Sequence, residues 1–406
     1  MPLGFALFAI VLVIVGCSNV FTIVKHPVET GARCLDGSPA ALYHSVGSDE
    51  NKNKFVIYFE GGGVCTGANL SSTLDSCYKR SLTALGSSSQ YPATRSGAGQ
   101  GILSGNATEN PHFFDWTRIY IPYCDGAEHQ GSRLQPISYK GADLYFRGTN
   151  NSIQQFESLN KLFGLYSADK VVLTGVSAGG MAVYYWSNYL YDRSQNKQVY
   201  SVPDSGLFLI SYVNPFTGTK LEDYLINLLK LMDGDVSPAV PECEPISDPM
   251  ECFNANRIAP YLRSPFFVIE SQYDLWSIEN ILQLKCAGSK LGTLTKCNQT
   301  EVKAIEDYRT ALLSALNDFN VIKEYGIWAP SCIQHGFVVS SSFNSPNYQV
   351  PSGSGVTLSE AIWKFVENPS SGKNRYVDSV AWPNNKGCSN VAAQPNKLES
   401  LRNRIR

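Results

Sequence analysis

Ser177 stands between glycines in Gly175-Val-Ser177-Ala-Gly179, directly after the apolar run Val171–Thr174 and directly before an amphipathic stretch. Strand, tight turn and helix in that order is the setting of a serine nucleophile held on a strained elbow. The flanking glycines let the two backbones approach where side chains would collide. The pentapeptide alone is short enough to arise by chance, so the strand before it and the helix after it carry the reading. At a helix N-terminus Ser177 would face amides and a dipole that favour a developing anion. The Ala178 amide would be one oxyanion donor.

A serine hydroxyl needs a base to take its proton, and the base needs an acid to orient it. In α/β-hydrolases the chain order is serine, acid, histidine. Of the histidines at 26, 44, 112, 129 and 335, only His335 follows Ser177. Between the two lie Asp192, Asp204, Asp233, Asp248, Asp274 and Asp307. The acid should sit just past the carboxyl end of a strand. Asp274 follows the apolar run Phe266–Ser271; Asp204 instead precedes its apolar run, Leu207–Ser211, and Asp307 falls inside a helical pattern. The competing reading of Asp274 is an N-cap for a helix over Trp276–Leu284. A second oxyanion donor should come from a glycine turn after an early strand, and Gly61-Gly62-Gly63 after Phe55–Glu60 supplies one.

These residues need a scaffold, and the chain predicts one. Phe55–Glu60, Val171–Thr174, Leu207–Ser211 and Phe266–Ser271 read as buried strands, with Arg118–Tyr123 a weaker one. Helical patterns run over Ser152–Leu165, Gly179–Tyr191, Leu221–Met232, Glu301–Phe319 and Leu358–Glu367. Strands alternating with helices imply a mainly parallel sheet covered on both faces. The expectation is one α/β-hydrolase-like domain over residues 19–390 with loop insertions, among them the Gly/Ser-rich stretch Gly86–Gly105. A polar tail follows at 391–406.

Of the 406 residues 43% are hydrophobic and 17% charged, and the net charge of −2 gives no field to gather nucleic acid. The apolar start reads as a signal peptide over residues 1–18, which predicts a secreted protein. An uncleaved membrane anchor, a lipid-attachment site at Cys17, and retention in a lysosome or vacuole are the alternatives. Removing Cys17 from the 11 cysteines leaves ten, an even number suited to disulfides. Neither a CxxC pair nor an HExxH motif occurs and the five histidines are scattered, so no structural or catalytic zinc is expected. Asn69, Asn106, Asn150 and Asn298 begin N-glycosylation sequons.

Five segments together resemble the pectin acetylesterase/Notum family: Glu60–Cys65 (EGGGVC), Thr174–Ala182 (TGVSAGGMA), Pro203–Gly206 (PDSG), Glu270–Ile278 (ESQYDLWSI) and Pro330–Phe337 (PSCIQHGF). The resemblance implies an α/β-hydrolase fold, disulfides, and cofactor-free hydrolysis of a carboxylic ester by Ser177, Asp274 and His335. It implies oxyanion amides at Gly62, Gly63 and Ala178. The chain departs from the pattern at Val64, where plant-like members carry tryptophan, and at Gly63 and Val64, where Notum-like members carry a tryptophan and another aromatic. It also departs at Val176 and Gly336, both cysteine in plant-like members.

The expected partner is an acylated substrate, with nucleic acid and membrane excluded once the leader is removed. Removal of O-acetyl groups from a polysaccharide such as pectin is the main reading. A deacylase of a lipid-modified secreted protein and a non-catalytic glycan- or ligand-binding protein on the same fold are the alternatives.

Overall fold

The computed structural model describes residues 18–96, 100–233, 249–287, 293–385 and 388. Residues 1–17 of the expected leader, Asp248 and the tail from 391 onward lie outside them. Strands β1 (Val20–Lys25), β2 (Ala41–Ser45), β3 (Lys54–Phe59), β4 (Thr94–Ser96) and β5 (Thr117–Ile121) come first, with helix α1 (Leu70–Ser81) after β3. A hairpin of β6 (Ile137–Tyr139) and β7 (Ala142–Leu144) leads to α2 (Gly148–Phe163). Next come β8 (Lys170–Val176), α3 (Ala178–Arg193), β9 (Val199–Asp204), α4 (Glu222–Leu231) and α5 (Ala255–Ile258). The chain then forms β10 (Phe266–Ile269), β11 (Tyr273–Asp274), α6 (Leu275–Asn280), α7 (Gln299–Asp318), β12 (Tyr325–Ala329), β13 (Ile333–Gln334), α8 (Leu358–Glu367) and β14 (Arg375–Val377).

Ten strands make one sheet in the order β14-β12-β10-β9-β8-β3-β5-β2-β1-β4. From β14 to β5 every pairing is parallel, and β2, β1 and β4 extend the sheet antiparallel. The central strands β3 and β8 are apolar and buried along almost their whole length, as strands covered on both faces must be. Apolar clusters fill the two faces, one against α2, α3 and α7, the other against α8. Helix α3 buries residues all round its circumference over Ala178–Asn188, so it is a core helix and not a surface one. This is the mainly parallel α/β sheet that the sequence implied.

One strand assignment was displaced. Leu207–Ser211 is loop, buried from Leu207 to Ile210, and the strand is Val199–Asp204 just before it. Its alternation is blurred because Ser201 and Pro203 point into a fully buried layer, with Ser201 bonded to Ser187 and Ser264. As a consequence Asp204 does not precede a strand; it ends β9, at the same edge of the sheet as Ser177 and Asp274.

Candidate active site

Ser177 follows β8 and caps α3 with φ 62° and ψ −123°, a conformation costly for any residue with a side chain. Close packing enforces the turn. A Cβ on Gly175 would lie 2.3 Å from the Gly179 carbonyl oxygen, and one on Gly179 would lie 2.1 Å from that of Phe59. The Ser177 amide donates to the Asp204 carbonyl at 3.0 Å, which fixes the turn from the neighbouring strand.

His335 lies in the loop after β13, and its Nδ1 meets Asp274 Oδ1 at 2.5 Å. The other oxygen of Asp274 accepts the Ser277 amide at 2.8 Å. The Asp274 carboxylate therefore caps α6 and holds the His335 imidazole at once. The buried Nε2 of His335 has no protein partner among the described residues. Burial alone would lower the imidazole pKa, but Asp274, with help from Asp204 and Glu279, outweighs it and the net shift is upward.

Two further carboxyls are buried near the site, Asp204 under this loop and Glu270 under the loop after β9, and sequence reasoning gives neither a role. Asp204 Oδ2 accepts the amides of Phe337 and Val338 at 2.6 and 2.7 Å, and Ser205 Oγ accepts the Gly336 amide at 2.9 Å. Burial raises the Asp204 carboxyl to about 6 against the pull of those amides. Glu270 accepts the Leu207 amide, and burial followed by the Asp274 charge pushes its carboxyl well up. The only signal for them was the pair of segments PDSG and ESQYD that carried the resemblance. The other aspartates are elsewhere: Asp192 pairs with Arg263, Asp307 with Lys303, and Asp233 with Arg133.

The glycine turn after β3 lies against the elbow. A Cβ on Gly61 would stand 2.1 Å from the Val176 carbonyl oxygen and 2.9 Å from Ser177 Cβ. Gly62 and Gly63 have φ of 158° and 72°. Their amides meet no protein acceptor among the described residues, and Ala178, first in its helix, has an amide without an intrahelical acceptor. The turn is pinned from behind. His129 Nε2 reaches the Glu60 carbonyl at 2.9 Å and Arg80 donates to the Gly62 carbonyl at 3.0 Å. In the sequence His129 carries no signal for this place, since it precedes Ser177.

A narrow cavity opens beside Ser177, Gly63 and Ala178, walled by Val64, Met181, Phe208, Phe253 and Trp276. The space in it that a water-sized sphere can occupy is about 10 Å³, roughly what one water needs. Glu128 also borders it, its carboxyl pushed up to about 8 by burial.

A family profile described as Pectinacetylesterase matches residues 16–389. The chain belongs to the pectinacetylesterase family. Pectin acetylesterase 5 of Arabidopsis thaliana is 28% identical over 376 residues, covering 89% of this chain and 83% of that protein. Palmitoleoyl-protein carboxylesterase NOTUM of Drosophila melanogaster is 28% identical over 319 residues, 76% of this chain and 43% of that one. Among solved structures, that of the Wnt deacylase Notum from Drosophila superposes with a TM-score of 0.74 at 25% identity, covering 90% of this chain and 99% of that one. This pectinacetylesterase is therefore a carboxylic ester hydrolase, which sets aside the reading as a non-catalytic binding protein.

Where this family member departs from the plant-like pattern, the two positions are neighbours. A Cβ at Gly336 would lie 2.8 Å from Val176 Cγ1, so an apolar contact stands where that pattern has two cysteines. Four disulfides lie among the described residues: Cys34–Cys124, Cys65–Cys77, Cys286–Cys297 and Cys332–Cys388. Cys252 is disulfide-bonded as well. Cys286, Cys297 and Glu301 cluster closely enough to suggest a metal site, but the disulfide removes both thiolates. Of the sequon asparagines, Asn69, Asn106 and Asn298 are exposed, and Asn150 is half-buried in the first turn of α2. No described helix is long and apolar enough to cross a membrane.

Proposed function

We propose that this pectinacetylesterase removes acetyl groups from the hydroxyls of a polysaccharide such as pectin, through an acyl-enzyme on Ser177. His335 Nε2 takes the Ser177 proton as Oγ attacks the ester carbon. The amides of Gly62, Gly63 and Ala178 receive the oxyanion. Collapse expels the sugar alkoxide, which takes the proton from His335 and leaves acetyl-Ser177. Water, deprotonated by the same histidine, then releases acetate. Asp274 holds the imidazole with Nδ1 protonated and stabilises its charged form. The disulfides fit work outside the reducing cytosol, either in a secreted form or in a lysosomal or vacuolar lumen.

The observation that carries the choice of acyl group is the size of the cavity at Ser177, about 10 Å³ to a water-sized sphere. An acetyl methyl fits such a space. A long chain would gain about 0.8 kcal/mol for each methylene it buried, and the cavity as it stands gives it little room to do so. The apolar walls, Phe208, Phe253 and Trp276 among them, favour the second reading, a deacylase of lipid-modified protein, if they part to admit a chain. A series of p-nitrophenyl esters separates the two. The acetyl reading predicts kcat/KM highest for acetate and lower by at least about tenfold at octanoate. A rise toward palmitate would instead establish the long-acyl reading.

A further inference from the structure

The glycine turn that would receive the oxyanion is free to rotate its peptides, since Gly62 and Gly63 carry no side chain to hold them. A peptide flip there would replace a donor with a carbonyl oxygen aimed at the developing negative charge. Something must hold the Gly62–Gly63 peptide in one sense.

We propose that Arg80 is the positioning residue of the oxyanion turn, holding the Gly62 carbonyl so that the amide of the same peptide unit, that of Gly63, faces the reacting ester. The reading rests on the assignment of Ser177 as nucleophile. In a trans peptide the C=O and the following N–H point to opposite sides. Arg80 Nη1 donates to the Gly62 oxygen at 3.0 Å, so the Gly63 N–H is turned the other way, toward the cavity that Gly63 shares with Ser177 and Ala178. Because the donor is a cation, the bond is stronger than a neutral one and polarises the amide it holds.

Arg80 is itself anchored. It lies on α1, tied to the turn by the Cys65–Cys77 disulfide, while the Cys65 amide donates to the Gly126 carbonyl at 2.9 Å. The guanidinium stands 5.6 Å over the Tyr123 ring, and Tyr123 is held in turn by its amide bond to Glu60. Space around it is close-fitted, since a Cβ on Gly126 would meet Arg80 Cδ at 2.9 Å. Gly63 has only one atom within 4 Å of its would-be Cβ, Arg80 Nη2 at 3.5 Å, so the arginine is the turn's nearest wall on that side. His129 meets the carbonyl of Glu60, two peptide units earlier, and ties down the start of the turn.

The test compares wild type with Arg80→Ala and Arg80→Lys, using p-nitrophenyl acetate and active sites counted by complete labelling with a fluorophosphonate. Labelled peptides are mapped by mass spectrometry. Arg80→Ala should lower kcat per labelled site about 10²-fold with KM within about threefold, and Arg80→Lys should recover at least about tenfold of that loss. Affinity for a trifluoromethyl ketone, whose adduct places an oxyanion in the turn, should fall in proportion to kcat/KM. A merely structural arginine would reduce the count of labelled sites and leave kcat per site unchanged, and that result overturns the proposal. A loss carried by KM, or one Lys does not relieve, overturns it too. A label found on a residue other than Ser177 would instead overturn the nucleophile assignment.

Discussion

Asp274 illustrates how much one side chain carries in this site, since its two oxygens are divided between the Ser277 amide and His335 Nδ1. In the proposed mechanism His335 serves as base only when Nε2 is unprotonated. Burial lowers its pKa and the Asp274 charge raises it by more. The acid limb of the kcat/KM profile should therefore have its midpoint above the ordinary histidine value of about 6.5, with activity rising as pH passes through it. In Asp274→Asn the raising charge is gone and burial remains, so the midpoint should move to lower pH while kcat falls by about 10⁴-fold. A pH–rate titration of the two proteins checks this. An unmoved midpoint would mean that another group titrates.

At the scale of elements, the glycine turn and the elbow are made for each other. The turn passes so close to Val176 and Ser177 that Gly61 has no room for a methyl group. Gly61→Ala must push the turn off the elbow, and with it the amides proposed to receive the oxyanion. Loss of one such donor costs about 2.7–4 kcal/mol of barrier, so kcat should fall by at least about 10²-fold in a protein whose circular dichroism is unchanged. Activity within threefold of wild type would place the oxyanion site elsewhere.

The same elements show where sequence reasoning reached and where it stopped. β3, β8 and β10 were legible because strands buried on both faces are continuous apolar runs, and α8 because its apolar face repeats at helical spacing. β9 is not legible because its buried serine and proline imitate a loop, and the apolar loop after it imitates a strand. That single exchange hid Asp204, whose task depends on standing at a strand end. Arg80 and His129 were illegible for a different reason. They act on backbone carbonyls far away in sequence, and no spacing records such a contact.

On the scale of the molecule, covalent ties compensate for a site assembled from loops. Cys34–Cys124 closes 90 residues of chain and joins the segment before β2 to the one after β5. Cys332–Cys388 anchors the His335 loop to the end of the described chain. Restricting the unfolded chain by a loop of that length contributes about 2–5 kcal/mol. The double variant Cys34→Ser/Cys124→Ser should lose stability of that order in chemical unfolding followed by fluorescence. A change under about 0.5 kcal/mol would mean the segments are held without the bond.

Acetate release from O-acetylated pectin, by wild type and by Ser177→Ala, tests the whole account most directly. The account predicts release by the wild type and a fall of at least about 10⁴-fold in the variant. Release that survives the loss of Ser177, or a folded wild type that cleaves long-chain esters and leaves pectin acetylated, would contradict it.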